Sequence, residues 1–334
     1  MKEKKLINIR ALAILIVVLG HSIIIYSSKW TLYDTVNTVH SLDLLKKIIN
    51  CYQMQLFFSL SGYLFFYSCL KNKEYFTFVI DKIKRLLIPF FAVAALYVLP
   101  LKMLLKVPGF EGNYFRLFFN SFIKLNNTGH LWFLITLFII FIIFFTLSKI
   151  IKLNKKDLKY KIVDIVILIL ALIISLNTSY FKSIIPDTGL YRVFEYSFWF
   201  YLGFCLNKYF SLGKKNDSYK KLYVPYLCLL TGALMIYRIT HETQVIKVIT
   251  TICVIILPYI IMPSKTNRVT EYLDRNSMGM FLFHSPLVYI SFIYYPNINP
   301  ILMVFINFIC FGFLSSLITE LIRKTPLKII IGEK

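Results

Sequence analysis

The sequence predicts an all-α integral membrane protein, a bundle of about ten transmembrane helices with both termini in the cytoplasm, and three observations carry that prediction. Of 334 residues, 58% are hydrophobic, 17% aromatic and only 16% charged, too apolar for a water-soluble domain. The apolar residues gather into stretches long enough to cross roughly 30 Å of hydrocarbon. The cations alternate between connections: 27 Lys and Arg fall on the side of the termini and 10 on the other, with Lys102 left over at a helix end. Cytoplasmic loops carry that excess, which puts both ends inside the cell membrane.

The expected spans are 6–26, 53–70, 87–105, 131–148, 162–176, 194–210, 222–237, 245–262, 277–294 and 300–322. The opening Met1-Lys2-Glu3-Lys4-Lys5 looks like a signal peptide, but no small-x-small cleavage site follows, so the first span is expected to be retained. In the second, Ser59, Ser61 and Gly62 allow close helix approach. The third is entered through the basic cluster Asp81-Lys82-Ile83-Lys84-Arg85, and the fourth opens on Gly129-His130-Leu131-Trp132. The fifth is short and carries Asp164 near its start. Pro258 and Pro286 are expected to kink the eighth and ninth. No polar half separates from the rest and no fixed-period repeat is visible, so residues 1–334 read as one transmembrane domain.

A net charge of +22 would suit nucleic acid on a polar fold, but here the cations sit in short breaks between apolar runs, which membrane topology explains and nucleic acid does not. The six cysteines are scattered without a C-x-x-C pair and read as packing residues. There is no glycine-rich phosphate loop, zinc spacing or G-x-S-x-G elbow, hence no metal and no permanently bound cofactor is expected.

Candidate chemistry begins with Arg10 and His21. Eleven residues are almost three turns, so both side chains lie on one stripe of the first span, roughly 16 Å apart. Ionisable groups in hydrocarbon are costly and usually face a bundle interior or a watery cavity. Arg10 at the cytoplasmic end can meet an anion and His21 lies deeper as a buried base, an arrangement suited to a coenzyme A thioester with its phosphates at the mouth. Alternatively, Arg10 snorkels as an anchor and His21 bonds a neighbouring helix.

Lys82 and Arg85, three apart, are expected to share a helical face suited to a polyphosphate, although a topogenic charge cluster would look the same. Gln53 and Gln55 at the outer end of the second span are candidates for binding an acceptor sugar, and His130 with Trp132 at the outer end of the fourth is a candidate for substrate binding, with a packed histidine and an ordinary interfacial Trp as the alternative. So is His284 inside the ninth span. His40 and His241 fall in external connections and carry no signal, and Glu195 and Glu320 read as ordinary interfacial charges.

Taken together these segments resemble the acyltransferase type 3 family over nearly the whole chain. The most specific part is Asn8-Ile9-Arg10 through Gly20-His21; Leu56 to Tyr63, Lys84 to Pro89, His130 to Leu134 and Leu282 to Pro286 follow in the family's order. The resemblance implies a membrane O-acyltransferase that takes an acyl group, commonly acetyl from cytoplasmic acetyl-CoA as co-substrate, and delivers it to a hydroxyl of a cell-surface or secreted carbohydrate. It implies a catalytic role for His21 and donor handling by Arg10, Lys82 and Arg85, with lysine at 82 where the family has arginine. Some members add an extracytoplasmic hydrolase-like domain; this chain, ending at Lys334, is expected to be the stand-alone form. Its expected partners are acyl-CoA, a carbohydrate acceptor and membrane lipid, with polysaccharide-assembly machinery and a homodimer left open.

Direct attack by the sugar hydroxyl and a transient acyl-histidine remain alternatives at this point, as does a succinyl or other short acyl donor. The non-enzyme rival is an exporter of polysaccharide or lipid-linked sugar, for which many helices and a few buried polar groups would also serve.

Overall fold

The computed structural model describes residues 4–28, 38–71, 73–185, 188–210, 217–240 and 243–333. Met1, Lys2, Glu3 and His241 lie outside them. Among the described residues every regular element is a helix. We label them α1 (Lys4–Ile24), α2 (His40–Asn50), α3 (Gln53–Leu70), α4 (Tyr75–Leu104), α5 (Gly129–Ile151), α6 (Leu158–Leu176), α7 (Arg192–Cys205), α8 (Asp217–Thr240), α9 (Gln244–Ile261), α10 (Arg268–Tyr294) and α11 (Pro300–Arg323).

Each expected span coincides with one of these helices, but among the described residues six are long and apolar enough to cross a membrane by length and composition, or seven if α6 is joined to Thr178–Ile184 across a 62° bend. Two of the expected spans fall short for visible reasons. Helix α3 interleaves Gln53, Gln55, Ser59 and Ser61 with its apolar residues, and α7 has 14 residues before the chain widens into a π-turn at Leu206–Phe210. Two helices begin nine or more residues earlier than expected. Helix α4 starts at Tyr75 instead of 87, which brings the basic cluster inside it, and α10 starts at Arg268 instead of 277, behind an Asn267–Thr270 capping box. The connection expected over 27–52 contains α2.

Proline explains the irregularity of α4. Its two π-turns, Ile83–Leu87 and Ala94–Val98, each end just before a proline, Pro89 and Pro100. Proline has no N–H and its ring crowds the carbonyl four residues back; widening the turn relieves both problems.

The core is aromatic. Phe65, Phe78, Phe145, Phe200 and Phe204 are all at most 1% exposed, and Phe78 stacks on Phe145 at 3.8 Å between centroids. Helices α3 and α7 cross at Gly62 and Gly203, where a Cβ on either would run into the other helix's backbone at Phe200 or Ser59. Without a hydrophobic drive between helices in lipid, such close backbone approach is a main source of association.

Asp164, the charge in α6, is 2% exposed and is met by the Lys208 ammonium at 2.5 Å, the Tyr201 hydroxyl at 2.6 Å and the Tyr209 hydroxyl. A carboxylate in an apolar bundle needs such neutralisation, and this cluster ties α6 to the end of α7.

Candidate active site

Helices α1 and α10 lie side by side and run in the same direction, joined at two polar rungs. At the first, Arg10 Nε meets Asp274 Oδ1 at 2.7 Å, with side chains 16% and 5% exposed. Eleven residues further on α1 and ten further on α10, His21 Nδ1 meets His284 Nε2 at 3.1 Å. The early start of α10 is what supplies Asp274 to this pairing.

The hydrogen bonds fix which ring nitrogens carry protons. A carbonyl oxygen only accepts, so His284 Nδ1, 2.6 Å from the Met280 carbonyl, is protonated and its Nε2 holds a lone pair. His21 Nδ1 lies 2.9 Å from the Val17 carbonyl and 3.1 Å from that lone pair, so it too carries the proton and donates to both. The remaining His21 nitrogen, Nε2, has no hydrogen-bond partner among the described residues. An imidazole in this tautomer offers an unshared lone pair at Nε2, as a base or a nucleophile requires.

His130 completes a triangle of rings, with centroids 6.4 Å from His21 and 5.8 Å from His284. Its Nε2–H donates to the Leu282 carbonyl at 3.0 Å. That carbonyl is available because residue 286, four positions on, is proline and has no N–H to occupy it. Pro286 was expected to kink its helix; here it also frees the acceptor that orients His130. Among the described residues no group of three or more His, Cys, Asp or Glu side chains could hold a metal ion.

His21 lines a cavity of ≈ 270 Å³ together with Asn50, Gln53, Gln55, His130, Trp132, Glu195, Tyr196, Met54 and Phe281. Besides His21, sequence reasoning named Gln53, Gln55, His130 and Trp132 of these. It passed over Glu195 as an interfacial charge, and Asn50, Tyr196 and Phe281 gave no signal, since only the packing of α2, α7 and α10 brings them to His21. The Gln53 and Gln55 Oε1 atoms are buried with no hydrogen-bond partner among the described residues. His284, 1% exposed, stands behind His21 and does not line the cavity.

At the Arg10 rung, Arg85 is exposed and close enough for the two guanidinium groups to repel one another. Lys82 has different surroundings: its ammonium rests on the Phe141 ring, 3.3 Å from the centroid, and 5.1 Å from that of Phe78. The π-turn beginning at Ile83 changes the register, so three-residue spacing does not give the pair the shared face expected of an α-helix.

Helix α2 was not anticipated. It is tied to the end of α1 by Asp43, which accepts from the Ser27 and Ser28 hydroxyls at 2.7 and 2.8 Å and from the Ser28 N–H at 3.0 Å. Burial alone would raise the Asp43 carboxyl; these bonds and Lys47 outweigh it and lower it to about 2. Its inner face runs Leu42, Lys46, Ile49, so a lysine occupies the middle of an apolar stripe.

A family model described as "Acyltransferase domain" matches residues 3–321 of the chain. No curated protein and no solved structure matches it.

Proposed function

Because the chain belongs to the acyltransferase type 3 family, matched over residues 3–321, we propose that this multi-pass membrane acyltransferase moves acetyl from cytoplasmic acetyl-CoA to a hydroxyl of a cell-surface or secreted carbohydrate. The observation that carries the reading is His21: its Nδ1–H is held by Val17 and His284 and its free Nε2 belongs to a ring on the cavity wall.

In the proposed reaction His21 Nε2 takes the proton of the sugar hydroxyl as its oxygen attacks the thioester carbonyl. The C–S bond breaks, the coenzyme A thiolate leaves, and the imidazolium returns the proton to sulfur, so that sugar ester and free thiol are the products. His284 steadies the charged ring through its Nε2 lone pair. The general base contributes on the order of 10²–10⁴-fold.

Arg10 and Arg85 are assigned to the donor phosphates. Two guanidinium groups near enough to repel one another become favourable when a polyphosphate lies between them. Arg10 and His21 are about 16 Å apart along α1, a length suited to the extended pantetheine arm. Both termini are assigned to the cytoplasm by the charge count. The acceptor is assigned to the cavity, where Gln53, His130 and Trp132 line the wall.

Mass spectrometry of surface and secreted glycans from a strain lacking the protein tests this reading. The expected result is glycan made and exported in normal amount but without its ester. Loss of export would instead favour the transporter, and a missing succinyl ester would replace acetyl by succinyl.

A further inference from the structure

Two buried lysines flank the histidine cavity without a carboxylate. Lys46 is 2% exposed, and its ammonium lies against Gly20, the residue before His21: a Cβ built there would be 3.2 Å from Nζ. Lys102 is 5% exposed, and its ammonium lies against Gly129, the residue before His130, where a Cβ would be 3.6 Å from Nζ. Among the described residues neither ammonium has a hydrogen-bond or ion-pair partner; Lys102 has only the Phe110 ring at 4.1 Å and that of Tyr289 at 5.7 Å.

The nearby acids are otherwise engaged. Asp43, on α2 itself, holds Ser27, Ser28 and Lys47. Glu195, the carboxylate on the cavity wall, has Arg192 as its neighbouring cation. Burial brings the Lys46 ammonium down to about 8, so it is charged at neutral pH.

Placing an ammonium in an apolar stripe is costly unless something offsets it. Two cations behind the walls of one small cavity, with little water to screen them, focus a positive potential into it. We propose that the molecule received by this cavity is acidic, carrying a carboxylate or a phosphate close to the hydroxyl that is acylated. The acylation of that molecule rests on the proposed acyl transfer; the anion site does not. The lysines belong to the His21 and His130 level of the bundle, remote from the Arg10 and Arg85 rung given to the donor, so the anion sought is on the acceptor.

The test is binding of glucose, glucuronate and glucose 6-phosphate, at pH 7, to the full chain in nanodiscs with coenzyme A present, for wild type, Lys46→Met and Lys102→Met. Methionine keeps the volume and removes the charge, so both variants are expected to fold with raised melting temperatures; each reads one lysine independently. The proposal expects at least one acidic sugar to bind tenfold or more tighter than glucose, with each variant losing most of that preference and keeping its acetyl-CoA affinity. Glucuronate ahead of glucose 6-phosphate identifies a carboxylate, and the reverse a phosphate. Equal binding of all three sugars, or a preference that survives both substitutions, overturns it. An acidic sugar that binds through the lysines but is never acetylated tells against acyl transfer while the anion site stands; lysine-independent acetylation of a neutral glycan does the opposite.

Discussion

His284 accepts a hydrogen bond from His21 at 3.1 Å although 263 residues separate them, and it does so with the nitrogen left unprotonated by its own bond to Met280. One histidine thereby sets the tautomer of the other, much as a carboxylate does in a catalytic triad, but without adding a buried charge. His284→Ala is expected to leave His21 bonded to Val17 alone and to lower transfer about 10²-fold, with the acetyl-CoA Michaelis constant little changed. His284→Gln, whose amide oxygen can accept the same bond, should recover part of the loss and shift the pH profile. A rate equal to wild type in His284→Ala would remove His284 from this role.

Pro286 and His130 are coupled through the Leu282 carbonyl. Pro286→Ala restores an N–H that competes for that carbonyl, so the helix should gain stability while His130 loses its orientation. The expected outcome is a raised melting temperature with transfer reduced about tenfold, roughly 1.4 kcal/mol in the barrier. Unchanged transfer would show that His130 needs no such anchor.

Arg85 and Lys82 should separate in kinetics. Arg85→Ala is expected to raise the Michaelis constant for acetyl-CoA about tenfold, because it removes one of two guanidinium groups given to the phosphates. Lys82→Met replaces an ammonium lying on Phe141 with an apolar chain of similar size, and the expected change in that constant is less than threefold, an order-of-magnitude bound from the modest worth of such contacts. The reverse ranking would return the donor site to Lys82.

The Asp164 cluster predicts a stability effect distinct from activity. Lys208→Met leaves a 2% exposed carboxylate without its cation, at an expected cost of about 3–5 kcal/mol. The double variant Asp164→Leu with Lys208→Met should recover much of that. Thermal unfolding in nanodiscs checks both; additive losses would contradict the pairing.

The parts of this account legible in the sequence are those where one residue is anomalous in its own segment. Arg10, His21 and His284 stand out because a charge or imidazole in an apolar run demands a partner, yet nothing local says that Arg10 finds Asp274 or that His21 finds His284. Lys46 falls within the connection expected over 27–52, and its stripe of Leu42, Lys46 and Ile49 has meaning only once α2 exists. Lys82 and Arg85 were given one face by α-helical geometry, which the π-turn before Pro89 alters. Pro286 signalled a bend from sequence, but the carbonyl it frees matters only because a residue 152 positions from Leu282 reaches it.

The most direct test of the central claim is acetyl transfer from labelled acetyl-CoA to glycan in membrane vesicles carrying wild type or His21→Ala at equal abundance. The account predicts that His21→Ala binds acetyl-CoA with wild-type affinity and loses transfer by 10²-fold or more, the scale set by removing a general base. Undiminished transfer by His21→Ala would contradict it.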